Sequence, residues 1–287
     1  MKWTPGNRGN IEDLRGRSSG GMRGMPLGIG GVVVLLLLSW FTGVDFLSLM
    51  GGGGGPAPTA NVGTTGSPAS SAAEEKTVDF LDAVMEDAQS TWQQLLGPRY
   101  QRTRLRLFRD GVETTGCGYA QSASGPFYCP GDRHVYLDLG FFQELRQRFG
   151  ASGDFAEAYI IAHELGHHVQ TLLGIEARTR QQQQARSPSE RNALSVGMEL
   201  QADCFAGVWA HAAASPGRAA DRRIELETGD LEEGLRAAAS IGDDRIQRMS
   251  TGKVFPEKFT HGTSEQRSAA LRRGFESGDP QACSTLQ

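Results

Sequence analysis

The chain reads as an α+β protein, mainly helical with a small sheet. Long stretches between residues 74 and 275 carry apolar residues at helical spacing, short alternating runs such as Leu105–Phe108 interrupt them, and no internal repeat occurs. Of 287 residues, 38% are hydrophobic and 22% charged, a globular balance. Glycine is concentrated at the front, where 17 of the 38 fall in residues 1–73. An unusual front therefore precedes an ordinary rear that is long enough for one sizeable domain.

Residues 1–23 hold Lys2, Arg8, Arg15, Arg17 and Arg23 against Glu12 and Asp13, a net +3. The 21 residues from Gly24 to Val44 carry no charge and include the run Val32–Leu38. At about 1.5 Å per residue such a helix spans a hydrocarbon core of about 30 Å. Trp40 and Phe41 sit at an interfacial position and Asp45 marks the far end. Residues 24–46 are thus expected to be a transmembrane helix, anchoring the chain in the cell membrane in a single pass. The preceding basic residues make 1–23 a cytoplasmic segment and put the C-terminal domain on the extracytoplasmic side, periplasmic or cell-surface. A cleaved signal peptide would have a shorter apolar core and a small-residue cleavage site, which Ser48-Leu49-Met50-Gly51 does not supply. Residues 47–73, with Gly51–Gly55 and three prolines, read as a flexible linker.

The remaining domain, 74–287, carries net −6. That acidity excludes a general nucleic-acid binder, so no nucleic-acid partner is expected. Glu74–Leu96 has an apolar helical stripe that stops at Gly97-Pro98. Arg104–Phe108 reads as a half-buried strand, Asp110-Gly111 as a turn and Val135–Leu139 as a second strand. Helices are expected at Phe141–Phe149 and Phe155–Leu173, with a polar loop or frayed helix around Gln181–Gln184. Ser187-Pro188-Ser189-Glu190 is a capping box opening a helix to about His211. Leu226–Met249 and Ser264–Phe275 supply two more helices.

All four cysteines follow the apolar run, and an even count outside a membrane favours disulfides. Cys117 and Cys129 bracket a Gly/Ser/Pro-rich loop that a bridge would staple, leaving Cys204 and Cys283 as the second pair. Neither a C-x-x-C nor a Cys/His pair at finger spacing is present to suggest a structural zinc site.

The chemistry is carried by His163-Glu164-Leu165-Gly166-His167 inside an apolar helix. On a helix, positions i and i+4 lie about 40° apart and about 6 Å along the axis, so both imidazoles can reach one Zn²⁺. Glu164 is turned about 100° away, outside the ligand set, where it can act on a water as general base. On the capping-box helix, Glu199 and Asp203 repeat the i, i+4 spacing. One acid completes a His₂Glu-type set and the other supports a histidine N–H; spacing alone does not say which. His168, about 140° round from His163, points away from the metal toward a polar contact or the surface.

These segments resemble the bacterial neutral zinc metallopeptidase family. The resemblance rests on His163–Gln170 and Glu199–Gly207. It extends to Gly125–Pro130, Val135–Asp138 and the Gly-rich front, so it covers most of the chain. The E-x-x-A-D arrangement also resembles gluzincin membrane proteases of the prenyl-protein-processing and heat-shock type. That likeness implies a zincin-like fold with one zinc per chain, Glu199 as third ligand and Asp203 as its support. Thr260-His261-Gly262-Thr263-Ser264-Glu265-Gln266-Arg267 is similar to the Thr-His-Pro…Arg segment of those proteases, with Gly262 where proline is usual. The similarity places His261 at the edge of the zinc cleft as a catalytic donor to an oxyanion, on a loop that Gly262 could leave loose.

The sequence thus predicts a membrane-anchored zinc metallopeptidase acting on a peptide or protein substrate. Oligomeric state is not legible. Two other readings use the same residues: an inactive zinc-stabilised membrane scaffold, which needs the ligands but not Glu164, and a zinc amidase acting on cell-wall peptides.

Overall fold

The computed structural model describes residues 1–16, 70–215 and 223–286. The transmembrane helix expected at 24–46, and the linker up to residue 69, lie outside the described residues. Among the described residues no helix is long and apolar enough to cross a membrane.

The strands are β1 (Lys2–Trp3), β2 (Ile11–Asp13), β3 (Leu105–Phe108), β4 (Gly111–Thr114), β5 (Gly118–Gln121), β6 (Phe127–Cys129), β7 (His134–Asp138) and β8 (Ile224–Glu225). The helices are α1 (Ala72–Leu96), α2 (Gly140–Gln147), α3 (Asp154–Leu172), α4 (Ile175–Gln183), α5 (Pro188–Ala214), α6 (Asp230–Ser240), α7 (Asp243–Thr251) and α8 (Ser264–Ser277). Helix dominates and the sheets are small, as the α+β reading requires.

The largest sheet runs β2-β3-β7-β6, with β2 and β7 parallel to β3 and β6 antiparallel to β7. Leu105 and Leu107 pair with Val135 and Leu137, and these four side chains are buried on the face packed against the helices. The main core joins them to Leu81 and Met85 of α1, Phe155, Tyr159 and Ile161 of α3, and Trp209 of α5. Three helices cross at short range because glycine stands at the contacts. A Cβ at Gly166 of α3 would lie 2.9 Å from the Ala202 backbone, and one at Gly274 of α8 only 1.8 Å from the Cys204 carbonyl oxygen.

The capping box at Ser187 opens α5 as expected, and Ser71 and Thr263 cap α1 and α8 in the same way. Both expected disulfides are present: Cys117–Cys129 joins the β4–β5 turn to β6, and Cys204–Cys283 ties α5 to the C-terminal 3₁₀ segment. The Gln181–Gln184 region takes the helical of its two expected forms, at the end of α4, and one helical reading needs correction: the helix expected over Leu226–Met249 is broken at Ile241-Gly242. Gly242 lies so close to Ser264 that an added Cβ would meet its backbone nitrogen at 2.3 Å. The chain turns there to start α7.

The larger correction concerns the N-terminus, read from sequence as a segment apart from the 74–287 domain. Residues 1–16 instead belong to the same compact unit as the described residues from Ser70 onward. β1 pairs with β8, and β2 extends the central sheet beside β3. Arg8 and Arg15, which read as charges held at a membrane face, are paired within the fold. Arg8 reaches Asp79 at 2.6 Å and Glu75 at 2.5 Å, and Arg15 reaches Glu75 at 2.9 Å. Buried Asp82 on α1 accepts from the backbone N–H of Arg8 and of Asn10 and from the Asn10 side chain, at 3.0–3.1 Å. Asp82→Ala would strand those donors, and a loss of about 2–3 kcal/mol of stability is expected in urea unfolding, at unchanged metal content. An unchanged midpoint would show that the N-terminal segment is not held this way.

Candidate metal centre

α3 brings His163, Glu164 and His167 to the floor of an open cleft of about 530 Å³, and α5 brings Glu199 opposite them. His163 Nε2 lies 3.2 Å from one Glu199 oxygen and His167 Nε2 lies 3.5 Å from the other. Among the described residues, His163, His167 and Glu199 form the one group of three such side chains placed to hold a metal ion, with ligand atoms within 4.8 Å of one another.

The outer ring nitrogens are already engaged. Asp203, fully buried one turn below Glu199, can only accept, so His163 Nδ1–H donates to it at 2.7 Å. The amide of Gln170 donates to the Met198 carbonyl at 2.7 Å, which leaves its oxygen to accept from His167 Nδ1–H at 2.9 Å. With Nδ1 engaged in both rings, Nε2 is the nitrogen left to bind a metal, and in both it faces Glu199. Asp203 also accepts from the Tyr159 hydroxyl at 2.5 Å and from Arg267 of α8 at 2.9 and 3.0 Å. Burial would raise the Asp203 carboxyl, but Arg267 and His163 outweigh it and hold its pKa at about 2.

Electrostatics point to a cation. Burial opposes protonation of His163, yet the Asp203 and Glu199 carboxylates lift its pKa to about 10. His167 is raised by Glu199 against the same opposing burial, while the two imidazoles hold the half-buried Glu199 carboxyl well below its ordinary range. A carboxylate and two imidazole Nε2 atoms converging within 4.8 Å of one another fit the His₂Glu donor set of a zinc site. The structure places Glu199 with the histidines and Asp203 behind His163.

Glu164 is buried and lines the cleft beside this group. His261 lines it as well, half-exposed, with Nδ1 at 3.2 Å from Asp243. The loop is not loose. Asp243, at the start of α7, accepts from the backbone N–H groups of Thr260, His261 and Gly262 at 2.7, 2.7 and 3.2 Å. Gly262 has φ +95°, which proline cannot adopt, and proline would also lack the N–H donated to Asp243. The hydrogen bond to Asp243 raises the His261 pKa against burial.

His168 does point away from the metal. It is 1% exposed, accepts from the Tyr128 hydroxyl at 3.1 Å and donates to the Gln101 carbonyl at 2.6 Å. Burial lowers its pKa to about 4, so it is a neutral tie between α3 and β6. Asp243 and Tyr159 escaped sequence reasoning, and Gln170 and Arg267 entered it only as the ends of similar segments. A clue for Arg267 is its spacing of three and four residues before the apolar Ala270 and Leu271 on the same helix face. Replacing Glu199 by Ala should strip zinc from the dialysed protein, whereas Asp203→Ala should weaken zinc affinity about 10–100-fold. Metal analysis giving the reverse order would exchange their roles.

The family model described as "Putative neutral zinc metallopeptidase" matches residues 1–286. The chain is 46% identical over 298 residues to the uncharacterized protein YpfJ of Escherichia coli K12, covering 100% of this chain and 99% of that one. It is also 46% identical over 201 residues to the uncharacterized protein Rv2575 of Mycobacterium tuberculosis H37Rv, covering 69% of this chain and 66% of the other. No solved structure matches significantly. From its first residue almost to its last, the chain belongs to the neutral zinc metallopeptidase family.

Proposed function

We propose that the protein is a zinc-dependent endopeptidase that hydrolyses peptide bonds in the cleft above α3. The observation that carries this reading is Glu164. It stands beside the His163–His167–Glu199 group without belonging to it, at the floor of a cleft open to a substrate. A scaffold would need the three ligands but not the base or the cleft. Zinc held by the three ligands would supply Lewis acidity toward a water and a peptide carbonyl.

The chain's own groups supply the proton transfers. Glu164 takes a proton from the attacking water and returns it to the departing amine. His261 donates Nδ1–H to Asp243, which favours its protonated form, and in that form Nε2–H donates to the developing oxyanion. Beside the cleft, β6 is an edge strand of the four-stranded sheet, an arrangement that suits a peptide bound in extended form.

Glu164→Gln should keep about one zinc per chain while kcat falls about 10²–10⁴-fold. Full activity would contradict the assignment. His261→Ala should lower kcat by about 10²–10³ with zinc content and KM nearly unchanged. The basic limb of the kcat profile reports loss of the His261 proton, so Asp243→Asn, which weakens the partner that raises that pKa, should move the limb to lower pH. An unmoved limb would separate His261 from the reaction.

We further propose that the domain works outside the cytoplasm, attached to the membrane through residues 24–46. The two disulfides support an oxidising compartment, and the length and apolarity of the 24–44 run support attachment. Residues 1–16 pair with strands of the domain, which supports their lying on its side of the membrane, the alternative to the single-pass anchor with a cytoplasmic N-terminus read from sequence. Cysteines introduced at exposed Asn7 and Lys253 should both react with an impermeant maleimide on intact cells. Reaction at residue 253 alone would restore the opposite-sides topology, and reaction at neither would place the domain inside.

A further inference from the structure

The cleft is polarised along α3. Ile160, one turn before His163, lies at one end; Gln170 and Thr171 lie at the other, about 16 Å along the helix axis. Around Ile160 the walls carry Phe141 at the start of α2, Phe149 just after its end, Ile241 at the α6–α7 break and Ile246 on α7, with Glu144 and Arg148 the charged residues on that side. The opposite end is polar, with Glu176 beside Gln170 and Thr171. Arg245 donates to the Phe149 carbonyl at 3.1 Å and so ties α7 to the end of α2, closing the apolar end from two sides.

Phe141, Phe149, Ile241 and Ile246 are each only half-buried although they face a concave space. Phe141, Phe149 and Ile241 rest with one side on the main core and leave the other toward the cleft. Apolar surface held in a concavity next to polar, convergent groups is what a ligand's apolar group would cover. The break that separates α6 from α7 is what brings Ile241 and Ile246 to this wall.

We propose that Phe141, Phe149, Ile160, Ile241 and Ile246 form a subsite for a bulky apolar side chain, of the leucine or phenylalanine kind, adjacent to the scissile bond. This assignment rests on the peptidase reading above and extends it to the substrate class: extended peptides with an apolar residue beside the cleaved bond. One methylene in such a pocket discriminates about 10–200-fold, so the preference should be large.

The test uses the full chain loaded with zinc and internally quenched peptides that differ at one position flanking the scissile bond. Peptides with Leu or Phe there should show kcat/KM at least about tenfold above those with Ala, Lys or Glu. Ile246 packs outside the core clusters, so Ile246→Asp should fold and bind zinc normally and remove the preference, while Ile246→Leu should keep it. Cleavage without an apolar preference, or a preference untouched by Ile246→Asp, would overturn the subsite. If the zinc-loaded protein cleaved no peptide, the peptidase reading would fail, and calorimetry with hydroxamates would still decide the subsite. An isobutyl hydroxamate should bind about tenfold tighter than its methyl analogue in the parent and not in Ile246→Asp. Equal affinities in the parent would overturn the subsite.

Discussion

The site depends on one buried carboxylate. Asp203 has no exposed surface, and its two oxygens take hydrogen bonds from His163, Tyr159 and Arg267, which come from α3 and α8. An unpaired charge at that depth would be prohibitively costly, so each donor is needed to keep Asp203 ionised. Its ionisation in turn fixes the His163 tautomer and aims Nε2 at Glu199, one helical turn away. The α3–α5–α8 crossing and the candidate metal centre are therefore one construction. The absence of side chains at Gly166, Gly207 and Gly274 lets the three helices approach closely enough to make it.

Around this crossing, ties from distant parts of the chain hold the cleft open and shaped. Gln170 links His167 to the α5 backbone, and His168 links the same helix to Tyr128 on the edge strand. Asp243 gathers three consecutive N–H groups of the 260–262 loop, so His261 is presented by hydrogen bonds rather than by a stiff proline. The Cys204–Cys283 bridge starts at the residue after Asp203 and fastens the back of α5 to the C-terminal segment. Most of these restraints come from groups that line the cleft or lie just behind it, as a preorganised site requires.

What was legible in the sequence was local. The i, i+4 spacing of His163 with His167, and of Glu199 with Asp203, is a property of the helix alone, and the Ser187 capping box announces α5 by itself. The even cysteine count and the loop between the first pair led to both bridges. Long-range pairing was not legible. Arg267 meets Asp203 across 64 residues, and Asp243 meets the 260–262 loop only because the helix expected through Met249 breaks at Gly242. The two- and three-residue strands β1 and β2 have no periodicity to detect. The acids that neutralise Arg8 and Arg15 include Glu75 and Asp79 on the far side of the apolar run, so those arginines read as topogenic charges instead. Choosing between Glu199 and Asp203 as ligand also required the third dimension: two acids one turn apart look alike until one is seen in contact with an arginine and the other with both imidazoles.

The proposed chemistry requires zinc held by His163, His167 and Glu199. Zinc K-edge X-ray absorption on the purified full chain tests this most directly. It should give a shell of nitrogen and oxygen at about 2.0–2.2 Å, with imidazole outer-shell scattering from about two histidines. A sulfur shell at about 2.3 Å, or an all-oxygen shell without imidazole scattering, would contradict the assignment.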